Sequence, residues 1–107
     1  MRVHCEWGLA GVHALRDRVA ALIVVDVLSF CTAVDIAVSR GATVYPFPYG
    51  DATAAEVRAK RLGAVAVSPN RASDQLSLSP SSLGGLQRGD KILLPSPNGS
   101  RLSLETG

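Results

Sequence analysis

The sequence predicts an α/β fold, a layered α/β/α arrangement around a largely parallel sheet, with a mixed sheet as the alternative. Two observations favour this class. A continuous apolar run at 20–25, rich in β-branched residues, is typical of a strand buried on both faces. Apolar residues at helical spacing follow it from Phe30 to Val38, and similar strand-like and helix-like segments alternate along the rest of the chain. Such alternation predicts right-handed βαβ units and parallel strands.

Length and composition predict one domain of ordinary globular balance. The 107 residues suffice for a modest core, and 1–107 is treated as a single α/β domain. Apolar residues make up 47% of the chain, aromatic residues 5%, and the net charge is +2. Because the 11 basic residues are scattered along the chain, we expect no nucleic-acid partner.

The sequence also predicts where the protein acts. No apolar run reaches membrane-spanning length, and residues 1–19 carry charges throughout, so we expect neither a membrane segment nor a signal peptide. Cys5 and Cys31 match no zinc or CxxC spacing and are expected to be reduced. The default location is therefore the cytoplasm.

The predicted centre of the fold is a strand at 20–26, a short acidic turn and a helix that ends near Gly41. Before this unit, residues 2–7 alternate apolar and polar side chains, which predicts a half-exposed strand. Residues 9–18 fit either a loop or a helical turn.

The remainder of the chain continues the alternation. Asp51 is placed to cap a helix, and Pro46 and Pro48 indicate that the strand containing them ends there or lies at a sheet edge. The predicted elements are strands at 43–47, 64–68 and 91–94, a helix at 52–62 and a short helix that begins with Ser79 and Pro80.

The last residues of the sequence, 101–105, resemble the first turn of a helix. No further strand follows this helix. We therefore expect 1–107 to be the N-terminal part of a longer domain. A domain divided at this point exposes apolar faces and a sheet edge, which predicts a homo-oligomer or dependence on a partner chain.

The first candidate site follows the predicted central strand. Asp26 ends that strand, where ligands of open α/β sheets bind, and Ser29, Cys31 and Thr32 lie at the start of the next helix. A carboxylate can hold Mg²⁺, and free N–H groups at a helix N-terminus accept phosphate oxygens. The alternative is that Asp26 only caps the helix and that Cys31 is a small buried residue.

Two further segments are candidates. Residues 95–100 combine two prolines with Asn98, Gly99 and the hydroxyl of Ser100, which suits either a rigid anion cradle or a tight turn with a serine cap. Residues 74–82 are rich in serine, and a polar surface loop with a capped helix is the favoured interpretation.

Four short motifs occur in order along the chain between Val24 and Ser100, and together they resemble a known family. They are Val24 to Leu28, Arg40 to Ala42, Leu78 to Pro80, and Leu94 to Ser100. In this order and spacing they resemble the 2-phosphosulfolactate phosphatase family of coenzyme M biosynthesis. The resemblance implies an α/β fold with its site at the strand ends, Mg²⁺ as cofactor, and a small phosphorylated acid as substrate.

The resemblance also implies roles for individual residues. Asp26 matches the acidic position of the family's Asp-Val-Leu-Arg motif, which implies the catalytic metal ligand. Asn98, Gly99 and Ser100 match its Asn-Gly-Thr. Arg71 matches the Arg of Gly-Glu-Arg, and together with Ser29, Cys31 and Thr32 these residues would hold the phosphate ester.

The sequence departs from the family at three positions: Ser29 replaces the usual Arg, Asn70 the Glu, and Leu78 the Asn of Asn-Ser-Pro. The loss of a cationic clamp and of an acidic group indicates a divergent member. A catalytically silent α/β domain that binds an anionic metabolite or forms part of an oligomer is therefore the alternative function. A nucleotide cofactor has little support, because no Gly-x-Gly-x-x-Gly follows the predicted central strand at 20–26.

Overall fold

A computed structural model describes residues 1–68 and 75–107. The described residues form four α-helices, one 3₁₀ helix and three strands. In chain order they are α1 (Gly8–Leu15), α2 (Phe30–Ser39), β1 (Thr43–Pro48), α3 (Ala52–Leu62), β2 (Val65–Ala66), the 3₁₀ helix (Pro80–Gly85), β3 (Lys91–Ser96) and α4 (Gly99–Glu105).

The strands form one sheet in the order β1-β3-β2, and both pairings are parallel. Thr43 lies opposite Lys91 at the start of the β1–β3 ladder, and Val65 lies opposite Ile92 in the β2–β3 ladder. The chain is therefore an α/β protein with a parallel sheet, and β3 is its central strand.

Prolines explain both limits of this sheet. The Thr43 N–H points toward β3 and donates to Asp90 O at 2.8 Å. Backbone N–H directions alternate along a strand, so positions 46 and 48 face the outer edge of β1. No N–H is needed there, and proline is tolerated. The predicted edge position is confirmed. On the other side the Val67 N–H donates to Leu93 O at 2.9 Å, and Pro95 lacks the next N–H toward β2, so that ladder ends after two residues.

The predicted strand at 20–26 is wrong: these residues form no strand and no part of the sheet. Ile23 and Val25 are exposed, whereas Leu22 and Val24 are half-buried. The half-buried residues line a shallow cavity with Ser103 of α4 and Thr106, rather than lying between two strands. An apolar run forms a buried strand only where neighbouring strands cover it, and none of the described strands covers this one.

The N-terminal prediction is also wrong in part. Residues 2–7 form no strand and are exposed. The next segment takes the helical alternative and forms α1, in which Gly11 is buried.

The helices that follow agree closely with the sequence. In α3 the Asp51 side chain accepts a hydrogen bond from the Ala54 N–H at 2.9 Å, and Gly63 ends the helix with a φ of 64°. In α2 the buried face contains Ala33 in place of the expected Val38, which is exposed. The strand predicted at 64–68 is present as the shorter β2, because Pro95 lacks the N–H that would extend the ladder between β2 and β3.

Candidate functional site

Two of the segments singled out by sequence meet at the carboxyl end of β3. Phe30 is the first residue of α2 and Gly99 the first residue of α4. The Phe30 ring lies so close to Gly99 that a Cβ on Gly99 would overlap it. The segments 29–32 and 98–100, distant in sequence, are thus adjacent.

The turn that contains Asp26 is held by Cys31. The Cys31 N–H donates to Asp26 O at 2.9 Å, and the Cys31 thiol accepts from the Asp26 N–H at 3.2 Å. The same thiol donates to Val24 O at 3.3 Å. Asp26 itself is half-buried. Cys31 therefore fixes the backbone that presents the Asp26 carboxylate, and it does so as a half-buried structural thiol.

Ser29 and Thr32 complete this turn. Ser29 precedes α2 with a φ of 117°, and it is the non-glycine residue with positive φ in the described part of the chain. Such a conformation costs energy and is commonly retained at functional turns. The Ser29 carbonyl accepts from the Ala33 N–H at 2.8 Å, and the exposed Thr32 hydroxyl donates to Val27 O at 3.0 Å.

The second segment uses its hydroxyls internally. The Ser96 hydroxyl accepts from the Gly99 N–H at 3.1 Å, and the Ser100 hydroxyl donates to Leu94 O at 2.6 Å. Both serines are buried. Asn98 is exposed and its side chain makes no capping hydrogen bond to α4. Asn98 is therefore the polar side chain of this segment that faces solvent.

The serine-rich segment forms a hydrogen-bonded turn of its own. The Ser77 N–H donates to the Ser82 hydroxyl at 2.9 Å, and the hydroxyl of Ser79 lies 3.0 Å from that of Ser81. The predicted short helix is present as the 3₁₀ helix that begins at Pro80, with Ser79 at its N-cap position. Asp74 lies outside the described residues, as do Asn70 and Arg71.

The described residues do not place a cluster of protein metal ligands around Asp26. Across residues 1–68 and 75–107, no group of three or more His, Cys, Asp or Glu side chains could hold a metal ion. Mg²⁺ prefers near-octahedral oxygen coordination and is commonly bound by one or two carboxylates, with waters and substrate phosphates as the other ligands. Among the described residues, Asp26 would be a carboxylate ligand of such a site without an all-protein cage around it.

The contact that defines the site was not predicted from the sequence. The sequence pattern indicates only that Phe30 is one of several apolar residues on a helix face and that Gly99 belongs to a turn. The pairing could not be predicted because the two residues are far apart in the chain, although a glycine near the start of one predicted helix and an aromatic residue at the start of another are both visible in the sequence.

Comparisons of the chain with protein-family models, with curated proteins and with solved structures find no match in any of the three. Within the described ranges, no helix has both the length and the apolar character needed to cross a membrane.

Proposed function

We propose that this chain acts on a small acidic phosphomonoester resembling 2-phosphosulfolactate, at the carboxyl end of β3, within a layered α/β/α fold of that phosphatase family. The observation that supports the proposal best is the packing of Phe30 on Gly99. It joins the two segments to which the family resemblance assigns the acidic residue and the phosphate-binding loop.

In this proposal the ester is held mainly by backbone groups. The N-terminus of α2 carries the positive end of the helix dipole, which favours a phosphate. Because the Cys31 N–H already donates to Asp26 O, the backbone contacts come from the N–H groups of Phe30 and Thr32. The exposed side chains of Thr32 and Asn98 supply further polar contacts, and Arg71 supplies the cationic one. Ser29, Cys31, Gly99 and Ser100 shape the two loops.

Asp26 is the residue to which the resemblance assigns catalysis, and a requirement for Mg²⁺ remains a prediction of that resemblance. The test is release of inorganic phosphate from a panel of phosphomonoesters that includes phosphosulfolactate and phospholactate, with Mg²⁺ or with EDTA. We expect turnover that Asp26→Asn abolishes. Asp35→Asn makes the same change on the exposed face of α2 and is expected to leave turnover intact.

Two outcomes would contradict the enzymatic proposal. One is turnover that Asp26→Asn leaves unchanged, which would place the reaction elsewhere. The other is folded protein without turnover of any ester in the panel.

The second candidate is a catalytically silent domain that binds an anionic metabolite. It is favoured by the internal use of Cys31, Ser96 and Ser100 in structural hydrogen bonds. Calorimetric titration with the same esters distinguishes it: binding would occur without turnover. Asp26→Asn would then retain or strengthen binding, because it removes a negative charge beside the anion.

A further inference from the structure

Residues 21–26 form a strand-like segment that none of the described strands pairs with. The segment contains no helix, turn or bend, and its side chains alternate between exposed and half-buried. In the described part of the chain, Val24 O is the one backbone group of 21–25 with a hydrogen-bond partner, the Cys31 thiol. The other backbone N–H and C=O groups of 21–25 can therefore pair with another strand.

The exposed side of this segment is strongly apolar. Ile23 and Val25 are 87% and 77% exposed, and Val27 and Leu28, which follow, are 66% and 89% exposed. Contiguous aliphatic side chains of this kind rarely remain open to water and commonly mark a protein interface.

The charges at the two ends of the segment indicate what covers it. Residues 19–25 carry no charge, Arg18 precedes them and Asp26 follows. Arg18 lies in the turn that follows α1, just before the segment, and Asp26 lies at its other end. In an antiparallel pair of two copies centred on Ile23, the end of each copy that carries Asp26 lies beside the end of the other that follows Arg18, so opposite charges come together. A parallel pair would instead align like charges.

We propose that residues 21–25 form a homodimer interface, in which the segments of two copies pair as antiparallel strands about a twofold axis at Ile23. Ile23 then faces Ile23, and Ala21 faces Val25, so a small residue lies beside a branched one at each end. Such an interface is self-complementary, as a twofold contact requires. The proposal does not depend on the phosphatase function.

Sedimentation equilibrium of the full chain, over low to high micromolar concentration, tests the proposal. We expect a dimer for the wild type and a monomer for Ile23→Lys and for Ile23→Glu, since each variant places like charges together at the axis. An equimolar mixture of the two variants is expected to dimerise again, because opposite charges then face each other. Val57→Lys, on the exposed side of α3, is expected to remain dimeric.

A second measurement does not depend on charged variants. With Cys5 replaced by Ser, Ile23→Cys is expected to form an interchain disulfide on oxidation, whereas Val57→Cys is not. The proposal is overturned by a wild type that is monomeric at every concentration, by a dimer that persists in Ile23→Lys, or by charged variants that fail to pair when mixed. Failure of Ile23→Cys to cross-link would also overturn the twofold geometry.

Discussion

The absence of a side chain at Gly99 allows the two segments of the candidate site to lie together. The sequence suggests a glycine for a turn with positive φ, yet Gly99 is not among the described residues with positive φ. Its lack of a side chain is required instead by the Phe30 ring, which occupies the space of a Cβ. Close approach of two helices, rather than backbone conformation, thus explains the glycine.

Gly99→Ala is therefore expected to destabilise the fold by about 1–3 kcal/mol, because the added methyl group forces Phe30 and the start of α2 to move. Urea denaturation measures the loss. Gly84→Ala is the matched control: a Cβ there meets nothing within 4 Å and the residue has no positive φ. The control is expected to be neutral or slightly stabilising. Equal effects of both changes would exclude the Phe30 contact as the cause.

At the contact between α1 and α4, three polar side chains form a cluster. The Nε2 atom of His13 lies 3.0 Å from an Oε2 oxygen of Glu105, and the Arg16 guanidinium donates to Glu105 O at 3.2 Å. The hydrogen bond to His13, together with the nearby charges of His13, Arg16 and Arg101, lowers the pKa of Glu105 below its usual value of 4.5, although partial desolvation opposes this.

The lowered pKa of Glu105 gives this contact a defined dependence on pH. A carboxyl group with a lowered pKa stabilises the folded state fully above its usual value of 4.5, and this contribution is lost as pH falls through the lowered pKa. His13→Ala is expected to return the pKa of Glu105 toward its usual value, as measured by NMR titration of the side-chain carboxyl. His4→Ala, in the exposed N-terminal segment, should leave it low. The assignment fails if both variants titrate alike.

Elements defined by local signals could be predicted from the sequence. The cap at Asp51, the terminating glycine at Gly63 and the prolines of β1 act on backbone groups within a few residues, so their effects are visible in one stretch of chain. These signals placed α3 with its correct ends and β1 at the edge of the sheet.

Features that depend on distant neighbours could not be predicted in the same way. The apolar run at 20–25 has the composition of a buried strand, but pairing requires a second strand, and the sequence does not state which elements will be adjacent. The same limitation concealed the Phe30–Gly99 contact and the His13–Glu105 pair, whose partners are 92 residues apart. The roles of Asp26 and Arg71 remain predictions.

At the scale of the whole molecule, β3 unites two groups of buried side chains. Ile92 and Leu94 pack with buried residues of α2, and Leu93, which points to the opposite side of the strand, packs with Ala55 and Ala59 of α3. The helices contribute mostly alanine to these groups, which lets them lie close to the sheet. The leucines of β3 therefore supply much of the core volume.

This distribution predicts a large difference between two leucines. Leu94 is fully buried, so Leu94→Ala is expected to cost about 2–5 kcal/mol through lost apolar burial and the cavity left behind. Because domains are stable by only about 5–15 kcal/mol, a large part of the total free energy of unfolding is lost. Leu104→Ala removes the same atoms from a side chain that is 49% exposed and is expected to cost about 0.5 kcal/mol. Urea denaturation of both variants, at one protein concentration, decides the matter: similar losses would mean that β3 is not the centre of the core.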